Sequence, residues 1–319
     1  MAEKLLRERR VKMNQQNRGL TFLAGSRHDG EHLFSFLKKE AKASKPVIQY
    51  WTANQKIKIN HKAAAHNQQL KSGDRIDIDL REEEESGVIP EYGELHVLFE
   101  DDHMLIVNKP AGIATHPNEK GQTGTLSNLI AFYDQTNGTE RKIRHVHRLD
   151  KDTSGAVVFA KHRLAHAILD EQLQKKELAR TYLAIAEGKL KNRKGTIKDP
   201  IGRDRYHPAR RRVSPTGQAA VTHYTVKGYH PTYDVSLCEL RLETGRTHQI
   251  RVHLAHLGHP LSGDELYGGS TGLLQRQALH AAEISVTHPI SGERLTVNAP
   301  LPDDFKNAAI RIFGTDLPI

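Results

Sequence analysis

Apolar positions fall into two periods along this chain. Ile57 and Ile59 alternate with lysines, and Ile76 and Ile78 alternate with aspartates after a Gly73-Asp74 turn. Both read as strands with one buried face. Residues 95–100 and 104–108 predict strands on either side of the acidic turn Asp101-Asp102, and Lys109-Pro110-Ala111-Gly112 stops the second. Apolar runs at 156–160, 180–186, 219–226, 235–242, 283–287 and 294–298 add further strands. Helical spacing is expected over 32–43, 125–133 and 162–176; in the last, Ala165, Ile168, Leu169 and Leu173 share a face. A further helix is expected after Thr247, which can cap it. Its face would be Ile250, Leu254 and Leu257, and Gly258 with Pro260 would end it. Arg251 sits beside that face on the first turn, where it can point inward, and a buried arginine needs an anion. Together these elements imply a mixed sheet with helices packed on it.

Punctuation divides the chain. Residues 1–18 are polar and basic and read as a mobile tail. A small unit is expected at 19–81, a charged, Gly- and Pro-containing linker at 82–92, a large domain at 93–310 and a short tail at 311–319.

Composition narrows the class. With 37% hydrophobic and 27% charged residues in 319, the chain can bury a substantial core. No apolar run is long enough to span a bilayer and no signal-peptide core opens the sequence, so a cytoplasmic protein is expected. One cysteine, Cys238, rules out an intrachain disulfide and a multi-cysteine zinc site. The net charge of +9 is concentrated: between positions 189 and 212 ten basic residues face two acidic ones, which gives +8. Such a segment attracts a polyanion through phosphate contacts, and Arg203, Arg210, Arg211 and Arg212 are its candidate contacts.

The most chemically crowded stretch is His145-Val146-His147-Arg148-Leu149-Asp150-Lys151-Asp152-Thr153-Ser154-Gly155, which runs directly into an apolar strand. Twenty histidines raise the question of a metal, but His253 and His256 have no glutamate between them as a zinc-hydrolase helix requires, and no metal site is expected.

Five fragments in order carry a resemblance. They are Asn108-Lys109-Pro110-Ala111-Gly112, His147-Arg148-Leu149-Asp150 with Thr153-Ser154-Gly155, Tyr182, Asp199-Pro200-Ile201-Gly202, and the run from Gly245-Arg246-Thr247-His248-Gln249-Ile250-Arg251 to His253. Together they resemble the RluA/RluD-type pseudouridine synthases. Small departures are Arg180, where a lysine is frequent, and Ala156, where a leucine is usual. The resemblance implies an α+β pseudouridine synthase fold: a mixed, mostly antiparallel sheet flanked by helices and loops. It also implies an isomerase without cofactor or metal that acts on structured RNA. Large-subunit ribosomal RNA is favoured as the target, transfer RNA is the alternative, and neither DNA nor membrane is expected as a partner. A monomer is the default. By the same resemblance Asp150 attacks C1′ of the ribose or removes a sugar proton, Arg251 pairs with it, and Tyr182 stacks on the base. Arg148 would enter the RNA stack or hold the displaced partner base, and Lys109 and Thr153 would be substrate contacts. Basic composition alone fits a non-catalytic RNA-binding or ribosome-assembly protein equally well; the Asp150, Tyr182 and Arg251 set argues against that reading. The unit at 19–81 resembles the alpha-L RNA-binding domain, a small α/β unit. It departs at Ser44-Lys45-Pro46-Val47-Ile48-Gln49-Tyr50-Trp51, which puts proline and aromatics where arginines are expected. A structural role for it stands beside an RNA-binding one.

Overall fold

The computed structural model describes residues 11–14, 19–65, 67–82 and 84–314. The N-terminal unit is a five-stranded antiparallel sheet in the order β1-β2-β5-β3-β4. Its strands are β1 (Val11–Asn14), β2 (Gly19–Leu23), β3 (Ile57–Ile59), β4 (Lys62–Ala63) and β5 (Arg75–Asp79). Strand β1 falls inside the stretch expected to be a mobile tail, and its backbone pairs with β2 in register. Ile57, Ile59, Ile76 and Ile78 all point inward, as their alternation requires. Helices α1 (Leu33–Glu40) and α2 (Lys45–Ala53) cover the sheet, with Pro46 in the first turn of α2, where its missing N–H costs nothing. Trp51 shares the core beneath them with Phe36 and Phe22.

The large domain is a ten-stranded sheet. Its first strands are β6 (His96–Glu100), β7 (Met104–Lys109), β8 (Arg144–His145), β9 (Ser154–Ala160), β10 (Ala179–Glu187) and β11 (Lys194–Ile197). A separate two-stranded hairpin, β12 (Ile201–Arg203) with β13 (Arg211–Val213), follows. The sheet resumes with β14 (Thr222–His230), β15 (Val235–Leu242), β16 (Leu279–Thr287) and β17 (Arg294–Asn298). The order β11-β14-β15-β10-β16-β9-β7-β6, with β17 on β16 and β8 on β9, is antiparallel except where β16 runs parallel to β9. The fold is thus α+β with a mixed, mostly antiparallel sheet. Helices α3 (Leu126–Thr136) and α5 (Gln249–His256) lie against one face, and α4 (Arg163–Gln174) lies against another part of the sheet. Every residue of β9 is buried, which explains its unbroken apolar run. Gly155 is indispensable here: its φ is +117°, and a Cβ would lie 2.3 Å from the Ala281 carbonyl oxygen on β16. A last helix, α6 (Asp303–Phe313), buries Phe305, Ala308, Ala309 and Ile312 and runs past the boundary expected at 310.

Two glutamates of the acidic linker are tied to the large domain. The Glu82 side chain is 5% exposed and takes Arg144 at 2.5 Å; Glu84 takes the same guanidinium at 2.9 Å. Glu84 also pairs with Arg163, whose guanidinium lies 4.1 Å from the centre of the Tyr50 ring on α2. Leu164 and Ile168 of α4 join the N-terminal core. The small unit is therefore seated on the large domain by apolar contacts ringed with ion pairs.

Candidate active site

The stretch from β8 to β9 is held as a tight returning loop. Val146 N–H donates to the Val158 carbonyl, and the His147 ring accepts from Val158 N–H at 3.3 Å. The Thr115 hydroxyl donates to the Leu149 carbonyl and accepts from Leu149 N–H, both at 3.0 Å. Thr153 N–H then closes the turn on the Asp150 carbonyl. Backbone bonds on both sides thus fix Asp150, while its carboxylate faces a cleft of about 590 Å³.

Lys109 is part of this scaffold and cannot meet RNA, contrary to the expectation for it. It is fully buried, and its ammonium donates to the carbonyls of Pro110, Ile113 and Lys151 at 2.7–2.8 Å. Burial pushes its pKa down to about 7, but the three carbonyls use all three protons of the charged form. Thr153 lines the cleft but is buried, and its hydroxyl accepts from Gln277 at 3.3 Å.

The facing wall is α5. Thr247 does not cap it: His248 occupies that position with φ +59°, and Gln249 ties the entry. Its amide oxygen accepts from Arg246 N–H and the Thr244 hydroxyl, and its nitrogen donates to the Val221 carbonyl and Thr222. Arg251, one turn on, points inward as expected. Its Nη1 donates to Asp150 Oδ2 at 3.3 Å. Sequence reasoning missed its stronger partner, Asp264, which is 1% exposed and accepts from Nε at 2.7 Å and Nη2 at 2.8 Å. Burial alone would lower the pKa of Arg251; the bonds and charge of Asp264 outweigh it and raise the value, so the guanidinium stays charged. The signal in the sequence was Arg251 itself, whose burial demands an anion in addition to one that must react.

A third polar side chain closes the site. The Tyr267 hydroxyl accepts from Arg211 N–H and lies 2.9 Å from His248 Nδ1. His248 Nε2 lies 4.0 Å from Asp150 Oδ2. Burial lowers the pKa of His248, which favours the neutral imidazole. Tyr182, 3% exposed, lines the same cleft from β10, and burial raises its hydroxyl pKa. A β-bulge opposite Thr181 and Tyr182 re-aims the strand there.

Arg148 is exposed at the cleft, two residues before Asp150. The flanking histidines diverge. His147 is buried in the core, and His145 stacks on His116 with ring centres 4.4 Å apart. Burial pushes His145 down to about 4. The basic hairpin lies beside α5 through β13, but its arginines separate. Arg203 and Arg212 are exposed; Arg210 and Arg211 are half-buried, with Arg210 5.5 Å from the Tyr267 ring centre. The structure thus brings Asp150, Tyr182, Arg251, Arg148 and Thr153 into one cleft with the hairpin alongside.

Residues 103–256 match the family model described as RNA pseudouridylate synthase. An uncharacterized RNA pseudouridine synthase of Bacillus subtilis strain 168, YhcT, is 65% identical over 95% of this chain and all of its own length. The ribosomal large subunit pseudouridine synthase D of Escherichia coli strain K12 is 37% identical over 82% of this chain and 84% of its own. Among solved structures, human RNA pseudouridylate synthase domain containing 4 superposes with a TM-score of 0.55 at 25% identity, covering 68% of this chain and 92% of that one.

Proposed function

The chain belongs to the RNA pseudouridine synthases, isomerases that act on RNA, and from that premise we propose that it modifies large-subunit ribosomal RNA with Asp150 as the reacting carboxylate. The reaction breaks the bond between C1′ of ribose and N1 of uracil, turns the base over and rejoins it through C5. It needs a carboxylate next to the sugar, either to attack C1′ or to take a sugar proton. The observation that carries the assignment is the Arg251 geometry. Asp264 holds the guanidinium by two of its edges, and the remaining Nη1 reaches Asp150. That contact orients the Asp150 carboxylate through Oδ2 and leaves its other oxygen available to the sugar. Tyr182 offers the base a stacking face, and His248 Nε2 lies 4.0 Å from the Asp150 carboxylate.

A uridine in a stem must leave its stack to reach Asp150, which costs a few kcal/mol. Arg148, exposed at the cleft, is suited to occupy the gap, and Arg203 and Arg212 of the hairpin to grip phosphates outside it. The choice of ribosomal RNA rests on the names of relatives that align over most of this chain; it makes the cytoplasm the place of action, and a monomer is sufficient. Carbodiimide mapping of pseudouridine in ribosomal and transfer RNA, with and without the gene, tests the target; loss of a site in transfer RNA alone would overturn it. Asp150→Asn is expected to bind RNA with unchanged affinity and to form no pseudouridine. Normal turnover by that variant would remove Asp150 from the chemistry.

A further inference from the structure

The Asp150 cleft contains a second buried arginine, and no described residue answers its charge. Arg180, on β10 two residues before Tyr182, is 5% exposed and lines the cleft. It makes no hydrogen bond or ion pair with any described residue, and its Nε is buried without a partner. The guanidinium lies against Gly245, where a Cβ would come within 3.0 Å of Nη1. Every other buried arginine of this domain is paired: Arg251 with Asp264, Arg144 with Glu82 and Glu84. A buried cation without a counter-ion is costly. It is tolerated where a ligand supplies the anion, and the guanidinium fork matches the oxygens of a phosphate.

We infer that Arg180 is a phosphate-binding residue that receives a backbone phosphate of the target nucleotide as its uridine enters the cleft. The inference rests on the proposed RNA substrate, but it concerns binding and not turnover. A phosphate is the one anionic group of a nucleotide, and Arg180, Asp150 and Tyr182 line the same cleft. With the base on Tyr182 and the sugar at Asp150, the phosphate falls to Arg180. The contact would be made only by a flipped nucleotide, because a guanidinium this buried cannot reach the phosphates of an intact stem. Arg203 and Arg212 of the hairpin, being exposed, lack that discrimination.

Calorimetric titration of the Asp150→Asn protein with uridine, uridine 5′-monophosphate, uridine 3′-monophosphate and inorganic phosphate tests this without turnover. One monophosphate is expected to bind about tenfold or more tighter than uridine, as a charge-assisted bond in a buried setting would give, and tighter than inorganic phosphate. The preferred isomer identifies which phosphate is held. In Arg180→Met the advantage over uridine should vanish while the melting temperature does not fall, because an unpaired buried charge has been removed. Gly245→Ala, which displaces the guanidinium without removing it, should reduce the same advantage and serves if Arg180→Met does not fold. An unchanged preference in either folded variant, or equal binding of uridine and both monophosphates by the parent protein, would overturn the assignment. Failure of the pseudouridine assay would leave these binding ratios unaffected, so the two readings fail separately.

Discussion

Replacing Asp264 by asparagine tests whether the cation opposite Asp150 is held from behind. The change keeps shape and one acceptor oxygen but sets an amide group against the other guanidinium nitrogen. The bonds at risk measure 2.7 and 2.8 Å, and the residue is 1% exposed, so solvent cannot replace what is lost. One charge-assisted bond is worth about 1.5–3 kcal/mol. Removing the charge that compensates a buried arginine moves the cost toward the roughly 3–5 kcal/mol of a broken buried pair. We expect a loss of about 3 kcal/mol in urea unfolding. Freed from Asp264, the guanidinium turns to Asp150, its remaining carboxylate at 3.3 Å. A tighter hold on that carboxylate makes it a weaker nucleophile and base, so single-turnover pseudouridine formation should fall at least about tenfold, equivalent to roughly 1.4 kcal/mol in the barrier. Stability within about 0.5 kcal/mol of the parent together with full turnover would show that Asp264 does not orient Arg251.

Lys109→Met strands three buried carbonyls that now accept from the ammonium; at about 1–3 kcal/mol each the fold should lose at least about 3 kcal/mol. Hydrogen exchange of the Thr153 amide, bonded to the Asp150 carbonyl, should accelerate, and unchanged protection would refute the stapling role. Burial depresses His145 and His280 to about 4 from 6.5. The unfolded chain therefore binds more protons than the fold between those values, so stability is full above pH 6.5 and declines as pH falls toward 4. Each group contributes on the order of 3 kcal/mol; a melting temperature that is flat from pH 7.5 to 5 would contradict this. Arg203→Gln with Arg212→Gln should lower the slope of log affinity against log salt by about 1.4 to 1.8, since each phosphate contact contributes about 0.7–0.9. The same slope in the double variant would detach the hairpin from RNA.

What could be read in advance follows from where the information lies. The strand expected at 235–242 is found at Val235–Leu242, where an apolar run is bounded by polar residues on both sides. The Asp150 and Arg251 pair, 101 residues apart, was expected because each lies in a motif. Asp264 lies in no motif, and one aspartate among 38 acidic residues has no period to mark it. Lys109 is expected as a substrate contact through the resemblance alone; that its ammonium meets three carbonyls is decided by how the Lys151 turn folds back. Glu82 and Glu84 read as linker for a similar reason, since their partners Arg144 and Arg163 arrive from distant elements. Arg180 registered only as a variant beside Tyr182, and no local pattern records that a buried cation lacks a partner. Motifs therefore mark residues whose identity the chemistry restricts. The groups that aim them are specified by the meeting of loops, and a change at Asp264 or Lys109 should damage the site as surely as one at Asp150, through geometry and not through a lost reacting atom.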